Sequence, residues 1–276
     1  MKNLRQFKLI FGLFVITPLI SCGHTNPTNA STTAKSNTPV IEANTKNSPA
    51  INSGTTDAEL DKAKKDGKAV FLIITGTGTN INSAVTIAKE ANDKLKKSVV
   101  VQLNRDDVAN SSLVKKFGVA SVTLPFILVI SPKGVPVEGI PLDKATSDKL
   151  VKSVPSPKQD DVLFAVNEKK PVFIVVSKKT FTDKKTIVAN CKAAISKAAS
   201  NAAIVEIDFD DANEKAFLTQ IGVSSPVNDK SVTVVINASG QITDTFTDTP
   251  TVEKLVAAVN KVTKTGGCCS HGKKCG

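Results

Sequence analysis

Short, mostly apolar runs punctuate the chain, and they recur in two matching sets. Residues 69–74 read Ala-Val-Phe-Leu-Ile-Ile, 99–103 read Val-Val-Val-Gln-Leu, and 126–130 read Phe-Ile-Leu-Val-Ile. Runs of this length, bounded by Gly, Pro, Asn and Asp, suit buried strands better than helices. Between the first two, Ala84, Ile87, Ala88, Ala91 and Leu95 return at helical spacing, with Lys89, Glu90 and Lys94 mostly on the other side. That pattern predicts a helix lying on a sheet. A leading helix is expected over 57–66, capped by Thr56 or Asp57 and stopped near Gly67, and a short helix over about 110–117 ends at Gly118. The turn 131–134 (Ser-Pro-Lys-Gly) leads to a strand over 135–140, where Pro136 and Pro141 suit an edge position. A closing helix is expected over 146–154.

About a hundred residues later the order returns. A lead helix is expected over 159–168, then a strand over 171–176. Thr182 and Asp183 offer an N-cap for a helix running to about Ser200, with Ile187, Cys191, Ala194, Ile195 and Ala198 on one stripe. Cys191 on that stripe reads as a small buried hydrophobe. Residues 203–208, 217–223 and 232–236 repeat the second strand, the Gly-Val element and the third strand. Pro250-Thr251 opens a last helix whose Leu255, Val256, Ala258, Val259 and Val262 are expected to face the sheet. The pattern predicts an α/β protein of two tandem three-layer sandwiches, each a mixed central sheet with helices on both faces. Residues 57–157 form the first domain and 158–265 the second.

The N-terminus has a different character. Lys2, Arg5 and Lys8 precede an apolar stretch of twelve residues, 9–20. A bilayer crossing needs roughly 20 residues, so 1–21 reads as an export signal. It ends Leu19-Ile20-Ser21-Cys22-Gly23, which resembles the lipobox of bacterial lipoproteins. The resemblance implies lipidation of Cys22, with palmitate-type acyl chains, cleavage before it, and a partner in the membrane itself, since stable anchoring takes more than one chain. It also implies an extracytoplasmic place, on the periplasmic face or the cell surface. Residues 22–56, rich in Asn, Thr, Ser, Ala and Pro, lack any apolar period and read as a disordered tether. Such a coil would span roughly 30 Å on average.

The segment Gln102-Leu103-Asn104, then Phe117-Gly118-Val119 through Thr123-Leu124-Pro125 and into Phe126-Ile127-Leu128-Val129, resembles the second strand, helix, Gly-Val and cis-proline region of the thioredoxin family. The resemblance covers 57–157 and implies a cis-proline at Pro125. In that family a Cys-x-x-Cys pair opens the helix after the first strand, where the helix N-terminus activates a thiolate. Here 75–83 read Thr-Gly-Thr-Gly-Thr-Asn-Ile-Asn-Ser, and in the second copy 177–182 read Ser-Lys-Lys-Thr-Phe-Thr. Neither contains Cys, and the second copy has no Pro directly before 232–236. Both domains therefore read as redox-inactive, with no catalytic residue assigned. Gly76 and Gly78 do not make a nucleotide loop, because the Lys of a P-loop and the third Gly of a dinucleotide fingerprint are missing.

The one chemical cluster lies at the far end, 266–276: Gly-Gly-Cys-Cys-Ser-His-Gly-Lys-Lys-Cys-Gly. Cys268, Cys269, His271 and Cys275 form a soft donor set suited to Zn or Cu(I). A disulfide-closed tail and a mobile dithiol that exchanges with partners are the other two readings. Composition narrows the partners. The chain carries a formal charge of +11 but no Tyr and no Trp, and its lysines are scattered among acids, so nothing marks a nucleic-acid interface. These features predict a lipid-anchored binding or scaffolding module with an envelope protein as partner. Thiol–disulfide exchange or metal binding by the tail is the alternative.

Overall fold

The computed structural model describes residues 55–226 and 229–262. The signal and tether (1–54), with Cys22, and the tail from 263, with Cys268, Cys269, His271 and Cys275, lie outside the described residues. Two four-stranded sheets organise the rest.

The first begins with α1 (Thr56–Lys65), β1 (Ala69–Thr75), α2 (Asn82–Leu95) and β2 (Ser98–Asn104). A single 3-10 turn, Val108–Asn110, then runs into α3 (Ser111–Phe117), followed by β3 (Phe126–Ile130), β4 (Pro136–Pro141) and α4 (Ser147–Ser153). The strand order is β2-β1-β3-β4. β1 and β2 run parallel through the α2 crossover, and β3 and β4 run antiparallel. β1 is buried along its whole length, which is why its sequence is uninterrupted Val, Phe, Leu and Ile. Successive residues face opposite layers. Val70, Leu72 and Ile74 pack under α1 and α3 with Ala63 and Leu113. Phe71 and Ile73 pack under α2 and α4 with Ala84, Ala88, Ala91 and Leu150. The small alanines of α2 let its backbone sit close to the sheet.

Helix α1 starts one residue before the predicted position, because the Thr55 hydroxyl accepts from Ala58 N–H and acts as the cap. Thr56, assigned from the sequence to the tether, is helical and donates its hydroxyl to Gln102 O at 3.1 Å. The start of α1 is thereby fastened to β2. Gly118, at φ +64°, ends α3 in the left-handed conformation. Its N–H bonds Lys115 O, and Val119 N–H bonds Val114 O. In β4, Gly139 faces Leu128 across the ladder, and the ring of Phe126 lies over it so closely that any Cβ there would overlap the ring.

The second sheet repeats this plan through α5 (Pro157–Asn167), β5 (Val172–Ser177), α6 (Lys184–Lys197), β6 (Ala203–Asp208), α7 (Lys215–Gln220), β7 (Val232–Ile236), β8 (Ile242–Phe246) and α8 (Val252–Asn260). Its order is β6-β5-β7-β8, again with a parallel pair and two antiparallel neighbours. Helices α5 and α7 cover one face through Val162, Val166, Phe217 and Leu218. Helices α6 and α8 cover the other through Ile187, Cys191, Leu255 and Val259. Cys191 is fully buried, and desolvation pushes its thiol up to about 12. Val262 was expected to face the sheet. It is instead 79% exposed, because α8 ends at Asn260 and the backbone turns extended at Lys261.

Two contacts join the copies. The 131–134 turn between β3 and β4 meets the first turns of α5, and the Lys133 and Lys64 ammonium groups lie 5.4 and 5.8 Å from the centre of the Phe164 ring of α5.

Candidate functional site

The sheet's chemistry-bearing end is where β1 and β2 finish and β3 begins. Strand pairing places Ile74 opposite Phe126, so the residue after Ile74 and the residue before Phe126 meet at the rim: Thr75 and Pro125. The Leu124–Pro125 peptide bond is cis. Thr75 is buried and its hydroxyl points to Leu103 O at 3.4 Å. Two copies of a β-α-β-α-β-β-α order, with this strand sequence and these directions, define the architecture. Both domains have the thioredoxin-like fold.

The loop that leads from β1 to α2 is held down from below. Asp106, two residues beyond the end of β2, accepts the Thr77 N–H at 2.8 Å. Gly76 lets the loop pack closely, since a Cβ there would sit 2.8 Å from Leu124 Cδ1 and 2.9 Å from Asp106 Oδ2, and both side chains would have to shift. Gly76 N–H donates to Thr79 Oγ1 at 3.2 Å, and Thr79 N–H returns to Gly76 O at 3.1 Å. Arg105 fixes the other side of the rim by donating to Val122 O at 2.6 Å. The outcome is a closed, stapled loop packed on the Leu124–Pro125 turn. It presents hydroxyls and backbone, and no sulfur. Leu124 and Pro125 are half-buried, Thr77 and Gly78 are exposed, and Val108 on the turn after β2 is 84% exposed.

The second domain treats the same place differently. Val176 pairs with Val232, so Ser177 and Ser231 stand where Thr75 and Pro125 stand in the first domain. Ser231 is fully buried. Its N–H and O–H both go to the Asp183 carboxylate, at 3.0 and 2.6 Å, and its Oγ lies 2.9 Å from Ser177 Oγ. This corrects the expected role of Asp183. It occupies the N-cap position of α6, but its side chain makes no capping bond and crosses to Ser231. A charge-assisted pair of bonds to a buried serine outweighs a single solvent-facing cap. Asp210, the counterpart of Asp106, pairs with Lys178 Nζ at 3.0 Å and holds no loop amide.

Local pattern could not have revealed either staple. Asp106 and Thr77 are 29 residues apart, and Asp183 and Ser231 are 48 apart. The only sequence trace is the matched Asn-Arg-Asp-Asp and Asp-Phe-Asp-Asp after β2 and β6, whose first residues make the same turn, Asn104 Oδ1 to Asp106 N and Asp208 Oδ1 to Asp210 N. Of the residues singled out by sequence, Pro125 lies at this rim, while Cys22, Cys268, Cys269, His271 and Cys275 lie outside the described residues. Among the described residues no group of three or more His, Cys, Asp and Glu could hold a metal ion.

No protein-family model and no curated protein matches the chain. Solved structures do align with it. The first two thioredoxin domains of Naumovozyma dairenensis Eps1p align over 80% of this chain and 100% of their own, at 10% identity and a TM-score of 0.29. The equivalent Saccharomyces cerevisiae Eps1p domains align over 79% and 100%, at 9% and 0.30. The zinc-bound form of human ERp44 aligns over 64% of this chain and 50% of its own, at 9% and 0.31. The fold assignment rests on the strand order, directions and crossovers described above.

Proposed function

We propose that this chain is a membrane-anchored lipoprotein of the cell envelope whose first domain binds extended polypeptide without covalent chemistry. The observation that carries the reading is the stapled loop. The start of α2, where a thioredoxin-like enzyme carries its Cys-x-x-Cys, is here Thr79-Asn80-Ile81-Asn82, and the loop leading to it packs at Gly76 against Leu124 and Asp106. A hydroxyl or a backbone amide there cannot exchange disulfides at neutral pH. What is left at this end of the sheet is half-buried Leu124 and Pro125, with Val108 84% exposed on the turn that follows β2, two residues beyond Asp106. These three apolar side chains are the contact surface of the reading. The signal, the lipobox around Cys22 and the 22–56 tether support an extracytoplasmic place. Among the described residues no helix is long and apolar enough to cross a membrane.

The test uses the full chain and a reduced, carboxymethylated unfolded protein as probe, followed by anisotropy. Binding is expected, and Val108→Asp weakens it by about tenfold, equivalent to ~1.4 kcal/mol. Absence of binding, or binding indifferent to Val108→Asp, overturns the reading. So does robust insulin reduction with dithiothreitol that survives replacement of Cys268, Cys269 and Cys275 by Ser.

A second reading rests on three thiols and an imidazole within eight residues: the tail holds Zn or Cu(I) through Cys268, Cys269, His271 and Cys275. Titrating the reduced chain against a tail-deleted control decides it, and equal binding by the two rejects the tail as the site.

A further inference from the structure

The junction between the domains contains a carboxylate that its surroundings do not satisfy. Asp160 lies in the first turn of α5 and is only 3% exposed. Its Oδ2 accepts the Lys133 N–H from the β3–β4 turn at 3.1 Å. Its Oδ1 is buried with no hydrogen-bond partner. An ionised carboxylate with one oxygen unpartnered in a dry seat is disfavoured, because burial penalises the charge. Next to it Asp161 takes Lys133 Nζ at 2.7 Å and Lys158 Nζ at 3.7 Å. One helical turn on, the Phe164 ring lies near both the Lys133 and the Lys64 ammonium groups. Behind α5, Glu214 accepts the Lys158 N–H at 2.9 Å and the Ser156 hydroxyl at 2.6 Å, so the helix start is fixed to the second domain. The charged groups that act on Asp160 are Lys133 from the turn and Asp161 from its own helix; the junction also contains Lys64 of α1, Lys158 of α5 and Glu214 at the start of α7.

We propose that the two domains are joined by a proton-operated clasp: Asp160 takes up one proton from solvent as α5 seats on the 131–134 turn, and releases it when the seat opens. The neutral acid keeps an oxygen for the Lys133 amide and no longer carries a charge into the buried side, where Oδ1 has no partner. Desolvation raises the Asp160 carboxyl above the usual 3.8, against the opposing pull of Ser131 and Lys133. The sign follows. A carboxyl raised in the seated form contributes its full stabilisation below the exposed value, and loses it as pH rises through the seated value. Acid therefore closes the clasp. Each unit of elevation is a tenfold change in the seating equilibrium. The Lys133–Asp161 ion pair has the opposite sign, since it needs a carboxylate and would tighten as pH rises, and salt screens it.

The Lys133 amide is the reporter, because it is the donor that Asp160 holds. Hydrogen exchange of the full chain is read at this amide by NMR between pH 4 and 7, in low and high salt, and corrected for intrinsic rates. Its protection should fall several-fold as pH rises, in either salt. Asp160→Asn, a neutral side chain of the same shape, should abolish that dependence and exceed wild-type protection at pH 7. Protection in the wild type that is flat or rises with pH overturns the proposal, whether or not the variant folds. An Asp160→Asn chain that folds but is less protected than wild type at pH 7 also overturns it.

Discussion

Removing the Asp183 carboxylate should destabilise the second domain more than removing the serine it holds. In the folded chain Ser231 is fully buried and gives both its N–H (3.0 Å) and its O–H (2.6 Å) to that carboxylate. Hydrogen bonds to a charged group contribute about 1.5–3 kcal/mol each, and a buried donor left alone costs about 1–3 kcal/mol. In Asp183→Ala the hydroxyl can turn to Ser177 Oγ, 2.9 Å away, but the amide has no substitute. The expected loss is about 3 kcal/mol, toward the lower end of the summed ranges because Asp183 is itself half-exposed. Ser231→Ala keeps the amide bond and should lose about 1.5 kcal/mol, the one charged hydrogen bond it removes. Asp183→Asn retains one acceptor and should fall between. The double variant Asp183→Ala/Ser231→Ala should lose little more than Asp183→Ala alone, the mark of coupled partners. Without Tyr or Trp, unfolding in guanidinium is best followed by far-UV circular dichroism, with hydrogen exchange assigning each transition to its domain. The second domain's transition should move while the first stays. Equal losses for Asp183→Ala and Ser231→Ala, or simple additivity in the double variant, would refute the reasoning.

Two other outcomes are expected. Gly139→Ala forces a methyl into the Phe126 ring and should destabilise the first domain by about 1–3 kcal/mol, measured by the same denaturation; a neutral result would mean that the ring moves aside freely. Cys191, with its thiol at about 12 against an ordinary 9.0, holds about a thousandfold less thiolate at pH 8. Iodoacetamide should leave it unmodified in the native chain while denaturant exposes it, and mass spectrometry showing prompt native labelling would contradict its burial.

How far the sequence could be read followed from the range of the interactions. β1 and β5 were legible because strands buried on both faces are apolar at every position, as 69–74 and 172–176 are. Gly118 marked the end of α3 because it sits at positive φ, +64°, and Gly222 of the repeated Gly-Val element sits likewise at +79° just after α7. Helix starts were less clear, since Thr55, Thr56 and Asp57 all suit a cap and only the hydroxyl geometry selects Thr55. The end of α8 was misplaced for a related reason: Val262 keeps the helical period, yet the helix has already stopped. At the rim, the missing thiols were plain from residue types, but what replaced them was not. The hold of Asp106 on Thr77, and the turn of Asp183 away from its own helix toward Ser231, depend on loops brought together by the sheet.

Gly139 under the Phe126 ring also bears on how a duplicated chain avoids mispairing with itself. The two sheets match closely: β3 and β7 have the same length, and each shifts register at the same point against its partner, between Val129 and Ile130 and between Val235 and Ile236. Tandem copies so alike risk exchanging hairpins during folding, the characteristic error of repeat chains. Leu128 faces Gly139 in the first copy, and Val234 faces Thr245 in the second. If β8 paired in error with β3, Thr245 would stand where Gly139 stands, and its Cβ would meet the phenyl ring. One aromatic knob and one missing side chain thus act as a key. In the folded chain, the ring leaves room at that register only for a neighbour that carries no side chain.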